Sequence, residues 1–261
     1  MQDPVGFYIS PDGRTVFNAN NATSHTNCIT QLELQIPFEL SSAVLVDESN
    51  ILNTVALRSG GRDDCHDVYV SPDGRHMSVT NEQGAVYDFD LPTPFSLRGA
   101  TINQVEYFHP NFNQTTRGDD VFFSHDGSKM FLAGRLPNKV FEYSLSTNFD
   151  ISTATYSGNV IDVSAQITED LFGFEFNNDG TMMYISDTQN NGTSTEKIYQ
   201  YSLSKSFDFS SGATLVRSVD LEALHDTTNP ARGEREPAGM HFTKDGLRLF
   251  VVGTQGNDVN Q

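Results

Sequence analysis

Short runs of alternating apolar and polar residues recur along the chain, and five of them lead into one polar phrase. FYI, VYV, VFF, FEF and MHF run into SPDGR at 10–14, SPDGR at 71–75, SHDGS at 124–128, NNDGT at 177–181 and TKDGL at 243–247; TVF, HMSV, KMF, MMY and RLF lead out again. Alternation on both sides of Asp-Gly predicts two strands joined at a tip where glycine supplies a positive φ. A second phrase follows each of the first four turns: ITQLELQIPFEL from Ile29, VYDFDLPTPFSL from Val86, VFEYSLSTNFDIS from Val140 and IYQYSLSKSFDFS from Ile198. In the last of these Ile198, Gln200 and Ser202 face one way and Tyr199, Tyr201 and Leu203 the other, which predicts a third strand, with a fourth beginning at 213–219. The Phe that ends the phrase (Phe38, Phe95, Phe149, Phe207) reads as an aromatic plug between neighbouring units.

The turn glycines Gly13, Gly74, Gly127, Gly180 and Gly246 stand 61, 53, 53 and 66 residues apart. Four strands in such a period predict an all-β fold, a β-propeller of four-stranded antiparallel blades with five repeat units, the last incomplete. The units span approximately 4–57, 64–115, 117–168, 170–223 and 236–261, so the whole chain 1–261 is read as a single propeller. The fifth unit stops where a third strand is expected to continue. The chain therefore reads as part of a longer propeller of about six to eight blades, or as an open arc whose missing strands come from a partner.

Unit four carries the fullest form of the repeat: Gly173, Phe174, Phe176, Asp179, Gly180, Met183 and Tyr184, then Ile198, Tyr199, Gln200, Tyr201, Leu203 and Ser204, then Phe207, Asp208, Phe209 and Ser210. This unit resembles a degenerate propeller repeat of uncharacterised bacterial and phage or marine viral proteins, distantly similar to YVTN and lactonase-like propellers. The resemblance spans nearly the whole chain and implies the fold; its motifs are structural and imply little about activity. Where that repeat usually has Trp before Asp-Ile-Ser, this chain has Phe in all four copies and contains no Trp.

Composition narrows the partners. With 16 Lys and Arg against 34 Asp and Glu the formal charge is −18, which repels nucleic acid and anionic membrane surfaces. No apolar run approaches the roughly 20 residues that span a bilayer, so no membrane insertion is expected. Cys28 lies at the start of strand three of unit one and Cys65 just before strand one of unit two, which places both on one face of adjacent blades. That placement allows a disulfide and an oxidising compartment, or two separate thiols.

Candidate chemistry comes from counting back from each turn glycine. Ten residues before it stand Asp3, Asp64, Arg117, Asp170 and Glu236; seven before it stand Gly6, Asp67, Asp120, Gly173 and Gly239. Carboxylates entering strand one would ring the channel mouth on the face of the inter-blade loops, where they repel one another unless a cation, a basic ligand or Arg117 neutralises them. Hard oxygens of this kind suit Ca²⁺, which makes Asp3, Asp64, Asp67, Asp120, Asp170 and Glu236 candidate metal ligands. The plainer alternative is that each carboxylate accepts backbone N–H groups and fixes strand entry. Gly6, Gly173 and Gly239 read as positions of special backbone geometry.

The same loop face carries irregular segments at 18–27, 187–196 and 222–236, the last with His225, Arg232, Glu234 and Arg235. These four, with Arg117 and His66, are the candidate contacts for a protein or carbohydrate ligand. No catalytic residue is assigned, for the chain has no Gly-x-Ser-x-Gly, His-Glu-x-x-His, Cys-x-x-Cys or phosphate-binding glycine loop. The expected function is a non-catalytic binding or structural module of an extracellular or virion-surface protein. The alternative is a lactonase-like metal-dependent hydrolase, in which a cation on Asp64, Asp170 and Glu236 polarises a lactone carbonyl and His66 moves the proton.

Overall fold

The computed structural model describes residues 4–20, 29–45, 51–52, 65–81, 84–108, 118–135, 138–167, 170–188, 196–221, 237–253 and 259–260. Each repeat unit becomes one antiparallel sheet. Blade one holds β1 (Pro4–Ile9), β2 (Thr15–Asn20), β3 (Ile29–Leu34) and β4 (Ala43–Val44), with β5 (Ile51–Leu52) also pairing β3. Blade two is β6 (Cys65–Val70), β7 (His76–Asn81), β8 (Ala85–Asp90) and β9 (Thr101–Tyr107). Blade three is β10 (Gly118–Phe123), β11 (Lys129–Gly134), β12 (Lys139–Leu145) and β13 (Ala154–Asp162). Blade four is β14 (Asp170–Phe176), β15 (Met182–Thr188), β16 (Lys197–Leu203) and β17 (Ala213–Asp220). Blade five is the three-stranded β18 (Pro237–Phe242), β19 (Leu249–Gly253) and β20 (Val259–Asn260).

The hairpin tips explain why the first residue of each turn phrase is Ser, Ser, Ser, Asn or Thr. Its side-chain oxygen accepts the backbone N–H five residues on: Thr15 to Ser10 at 2.8 Å, His76 to Ser71 at 3.0 Å, Lys129 to Ser124 at 3.0 Å, Met182 to Asn177 at 2.9 Å and Arg248 to Thr243 at 3.1 Å. Where it is a hydroxyl it also donates to the turn aspartate, as Ser124 does to Asp126 at 2.7 Å. That bond, with the Ser128 N–H, holds the Asp126 carboxyl below the ordinary range. All five turn glycines have φ between 68° and 71°. Ser124→Ala removes one hub of a single tip and is expected to lower stability by about 1 kcal/mol, read as a lower urea midpoint at unchanged slope.

The phrase Phe is a clamp on its own hairpin as well as a plug between blades. Phe38, Phe95, Phe149 and Phe207 take left-handed φ of 61°, 55°, 61° and 50°. Each donates its N–H to the turn-glycine carbonyl, at 2.9 Å to Gly13, 2.9 Å to Gly74, 3.0 Å to Gly127 and 2.9 Å to Gly180. Each ring covers that glycine, so that a Cβ there would fall within 2.6 Å of it. A left-handed φ costs an L-residue roughly 1–2 kcal/mol, which the seated ring and its hydrogen bond offset. The rings also reach the preceding blade: Phe149 stacks on His76 at 5.5 Å, and Phe207 lies 5.3 Å from His125.

Successive blades are tied further out by a buried polar residue of strand three. Gln31 donates to the Phe95 carbonyl at 3.2 Å and accepts the Leu97 N–H at 2.8 Å, and Glu142 accepts the Phe209 N–H at 2.7 Å. In both cases the amide two residues after the next blade's Phe is the partner.

The inner strands close a circle. Phe7 of β1 packs on Phe250 of β19 with ring centroids 5.9 Å apart, and His241 Nε2 lies 3.2 Å from the Ile9 carbonyl. The described strands thus form a closed five-bladed ring, where the sequence suggested an open arc or a part of a larger circle. Each inner strand carries the same irregularity near its start, a register shift at Pro4/Gly6, Cys65/Val68, Gly118/Asp120, Leu171/Phe174 and Pro237/Gly239. Such bulges sharpen twist and bend a strand.

Candidate functional site

The position seven residues before the turn glycine is where the five inner strands come closest. A Cβ on Gly6 would lie 2.5 Å from the Asp67 Cα, one on Gly173 2.5 Å from the Ala238 carbonyl oxygen, and one on Gly239 2.7 Å from the Val5 carbonyl oxygen. None of these three glycines has a positive φ. The sequence reading of special backbone geometry is therefore corrected: glycine is needed there for space.

The other two members of this tier are Asp67 and Asp120, both buried. Asp67 accepts the Val121 N–H at 3.3 Å and Asp120 accepts the Phe174 N–H at 2.6 Å, each reaching the next blade's inner strand. Burial, ahead of all other causes, raises both carboxyls above the ordinary carboxylate range, and the Asp67 charge adds to the rise at Asp120. These acids do what the plainer sequence reading proposed, accepting backbone N–H groups to fix the blades.

On the loop side of this tier, His66 is buried and stacked on Phe172, centroids 6.5 Å apart and planes 5° from parallel. The Arg135 guanidinium lies 3.5 Å from the centre of the Phe172 ring and 3.8 Å from Asp170. Asp170 is thus paired with Arg135, away from Asp67 and Asp120. Among the described residues no three His, Cys, Asp or Glu side chains are grouped to hold a metal. Asp3, Asp64, Glu236, Arg117, His225, Arg232, Glu234 and Arg235 lie outside the described residues. Cys65 is disulfide-bonded; Cys28, the chain's other cysteine, also lies outside the described residues.

At the hairpin-turn end the described residues enclose a cavity of about 170 Å³. Its floor is the position five residues before each turn glycine: Tyr8, Tyr69, Phe122, Glu175 and His241, one from each blade. They touch in sequence around the axis. His241 and Tyr8 lie 4.7 Å apart by ring centroids, Tyr8 and Tyr69 6.4 Å, and Tyr69 and Phe122 5.3 Å. Glu175 closes the circle, its Oε2 3.6 Å from His241 Nδ1. Above this floor stand Pro11, Pro72, His125, Asn178 and Lys244, the position two residues before each glycine.

The Ile9 carbonyl can only accept, so His241 Nε2 carries a proton and Nδ1 is the nitrogen facing Glu175. Burial raises the Glu175 carboxyl, and the His241 charge opposes that rise. Burial, with Glu175 and Asp73 adding to it, also pushes the Tyr8 hydroxyl well above its usual range, so Tyr8 is a neutral hydrogen-bonding group in the cavity. The floor thus combines three aromatic walls, one carboxylate and one imidazole. Sequence reasoning missed this ring because three of its five members are apolar-type strand residues; the signal was the break from Tyr, Tyr, Phe to Glu and His at one repeat position.

No protein-family model and no curated protein matches the chain. Solved structures do match its fold. A candidate 6-phosphogluconolactonase from Bacteroides uniformis is 16% identical with a TM-score of 0.55, covering 97% of this chain and 64% of its own. A periplasmic gluconolactonase from Pseudomonas aeruginosa is 16% identical with a TM-score of 0.54, covering 99% and 68%. The Swd1 propeller domain of Myceliophthora thermophila is 11% identical with a TM-score of 0.50, covering 95% and 65%. The chain therefore spans less than two thirds of the length of the first of these relatives. At such identities the likeness is one of architecture, and the architecture it shows is the β-propeller.

Proposed function

We propose that this chain is a ligand-binding propeller and that the turn-end cavity over Tyr8, Tyr69, Phe122, Glu175 and His241 receives a small polar ring compound. The carrying observation is the pair of buried Glu175 and half-buried His241 at the floor of an aromatic cup on the fold's axis. Aromatic walls supply apolar contact for a ring, while a carboxylate and an imidazole orient its hydroxyls. The disulfide at Cys65 supports an oxidising compartment.

A second reading, lactone hydrolysis, is favoured by the same pair and by the two lactonase-like structural neighbours. In it Glu175 takes the proton of the water that attacks the lactone carbonyl and returns it to the ring oxygen as the ring C–O bond breaks, while His241, its Nε2 committed to Ile9, holds Glu175 in place. This reading needs no metal, unlike the loop-face hydrolase considered from sequence.

Calorimetric titration with gluconolactone and with gluconate, alongside a hydrolysis assay, tests both readings. One saturable site per chain is expected, weakened at least about tenfold by Glu175→Gln through loss of a charge-assisted hydrogen bond. Binding with hydrolysis above the buffer rate that Glu175→Gln abolishes establishes the second reading. Binding without hydrolysis leaves the first, and absence of saturable binding overturns both.

A further inference from the structure

Two neighbouring seams of the ring share one plan but hold different charges. At the seam of blades three and four the Lys129 ammonium stands 3.4 Å from Glu142 Oε1 and 3.6 Å from Asp208 Oδ2. Both Glu142 oxygens are engaged, for they also accept from Asn159 Nδ2 at 3.1 Å and from the Phe209 N–H at 2.7 Å. At the seam of blades two and three the same three places hold His76, Asp88 and Asp150. His76 opens β7 as Lys129 opens β11, and each donates its backbone N–H to the serine hydroxyl five residues back. Asp88 is paired to Ser78 as Glu142 is to Phe131, in both cases two residues along from the basic residue. Asp150, like Asp208, follows the left-handed Phe.

The second seam has no fixed cation. Asp88 is 1% exposed; its Oδ2 accepts from Asn103 at 3.3 Å, and its Oδ1 is buried with no hydrogen-bond partner. One methylene shorter than Glu142, it makes no bond to the amide two residues after the next blade's Phe. His76 is stacked on Phe149 with planes 11° apart, and its Nδ1, also buried without a hydrogen bond, lies 3.7 Å from Asp90 Oδ1. The charged groups that face the two are the acids Asp73 from the hairpin tip, Asp90 from β8 and Asp150 from blade three, with Arg75 beside Asp73 at the tip. From β9 come only the amides of Asn103 and Gln104, the latter donating to Asp150 at 2.8 Å. Among the described residues no lysine or arginine forms an ion pair with Asp88, Asp90 or Asp150.

We propose that the seam between blades two and three is a proton-operated joint, in which a proton taken up by the His76–Asp88 pair does what the Lys129 ammonium does permanently in the next seam. Imidazole is the side chain that gains charge as pH falls through the physiological range, and an imidazolium on the Phe149 ring adds a cation–π attraction to the pull of the acids around it. A proton on Asp88 removes the cost of a buried carboxylate that lacks a partner. Both events tighten the seam in acid. Burial, ahead of the charges of Asp90 and Asp150, pushes the Asp88 carboxyl up to about 6. Its unfolded value is about 3.9, so its contribution is complete below that value and is lost as pH rises through about 6. An ammonium keeps its charge throughout that range.

Amide hydrogen exchange in the full chain tests the joint, with each rate divided by its intrinsic chemical rate at that pH. From pH 5 to pH 8 protection at 149–153 is expected to fall at least about tenfold, while at the matching amides 207–211 it changes less than about twofold. His76→Lys installs the cation of the next seam and should hold protection at 149–153 level, and Lys129→His should carry the fall over to 207–211. Asp88→Asn keeps the size of the side chain without its carboxylate and should flatten the profile in the same way, so the test stands if one substitution impairs folding. Equal falls at both seams of the parent would trace the pH dependence to the ring as a whole and overturn the joint. So would no fall at either seam, or a fall that persists in both His76→Lys and Asp88→Asn.

Discussion

Gly173→Ala is expected to lower stability by roughly 3–5 kcal/mol, the range of overpacking against backbone that cannot yield. The added methyl would stand 2.5 Å from the Ala238 carbonyl oxygen and 2.5 Å from Ser186 Oγ. Ser186 is itself a bridge, accepting the Gly173 N–H at 2.9 Å and donating to the Pro237 carbonyl at 3.1 Å, so moving it aside breaks the link from blade four to blade five. The backbone of β18 cannot retreat either, because Gly239 on the same strand is held against Val5 of blade one. In a ring, displacement at one contact is passed to the next. Gly158→Ala is the contrasting control: its φ of 86° makes alanine strained, but no described atom is within 4 Å, so a loss of only about 1 kcal/mol is expected. At about 2–4 °C per kcal/mol for a chain of this size, the first variant should melt on the order of 10 °C below the parent and the second a few degrees below. If the two variants melt together, spatial crowding at the axis is not what selects glycine there.

The contrast also explains which parts of the fold the sequence displayed. Hairpin tips, strand three and the Phe phrase were legible because their constraints are local: Asp-Gly needs its positive φ, and Ser, Asn or Thr needs an amide five residues away. The blade count and the four-strand pattern followed from counting such tips. Gly173 and Gly239 were visible as glycines but not as contact points, since what crowds them is a carbonyl of another blade. Closure was hidden for the same reason, because it depends on β18 fitting beside β1 across more than two hundred residues of chain. At the site, Asp67 and Asp120 stood out in the sequence as recurring acids with a backbone role as the alternative reading, whereas the described cavity lies at the turn end. There the distinguishing residues, Glu175 and His241, occupy a repeat position whose other members are Tyr and Phe, so a search for recurring acids passed over them. A search for the position where a recurring aromatic is replaced by a charge would have found both.

Asp120→Ala and Asp120→Asn should separate by roughly 2–4 kcal/mol at neutral pH, although both remove the same ionisable group. Alanine leaves the buried Phe174 N–H without its 2.6 Å acceptor and deprives Asp67 of its partner. Asparagine keeps a carbonyl oxygen for Phe174 and offers an N–H to Asp67, so the hydrogen bonds survive without the second ionisable group. Their pH dependence differs from the parent's in a fixed direction. Burial raises the Asp67 and Asp120 carboxyls in the folded chain above their unfolded values of about 3.9. A raised acid binds its proton more tightly when folded, so its stabilisation is complete below that unfolded value and is lost as pH climbs through the raised folded one. The turn acids act oppositely: Asp126 is held low by Ser124 and Ser128, and its contribution disappears as pH falls. The parent should therefore be most stable at mildly acidic pH, where the turn carboxylates are ionised and the raised axial carboxyls are not yet forced to ionise. Asp120→Asn should gain on the parent steadily from about pH 4 upward and equal or exceed it at pH 8, measured by urea unfolding across pH. A constant difference between parent and Asp120→Asn over that range would mean that the axial acids are solvated well enough to ionise in the ordinary carboxylate range.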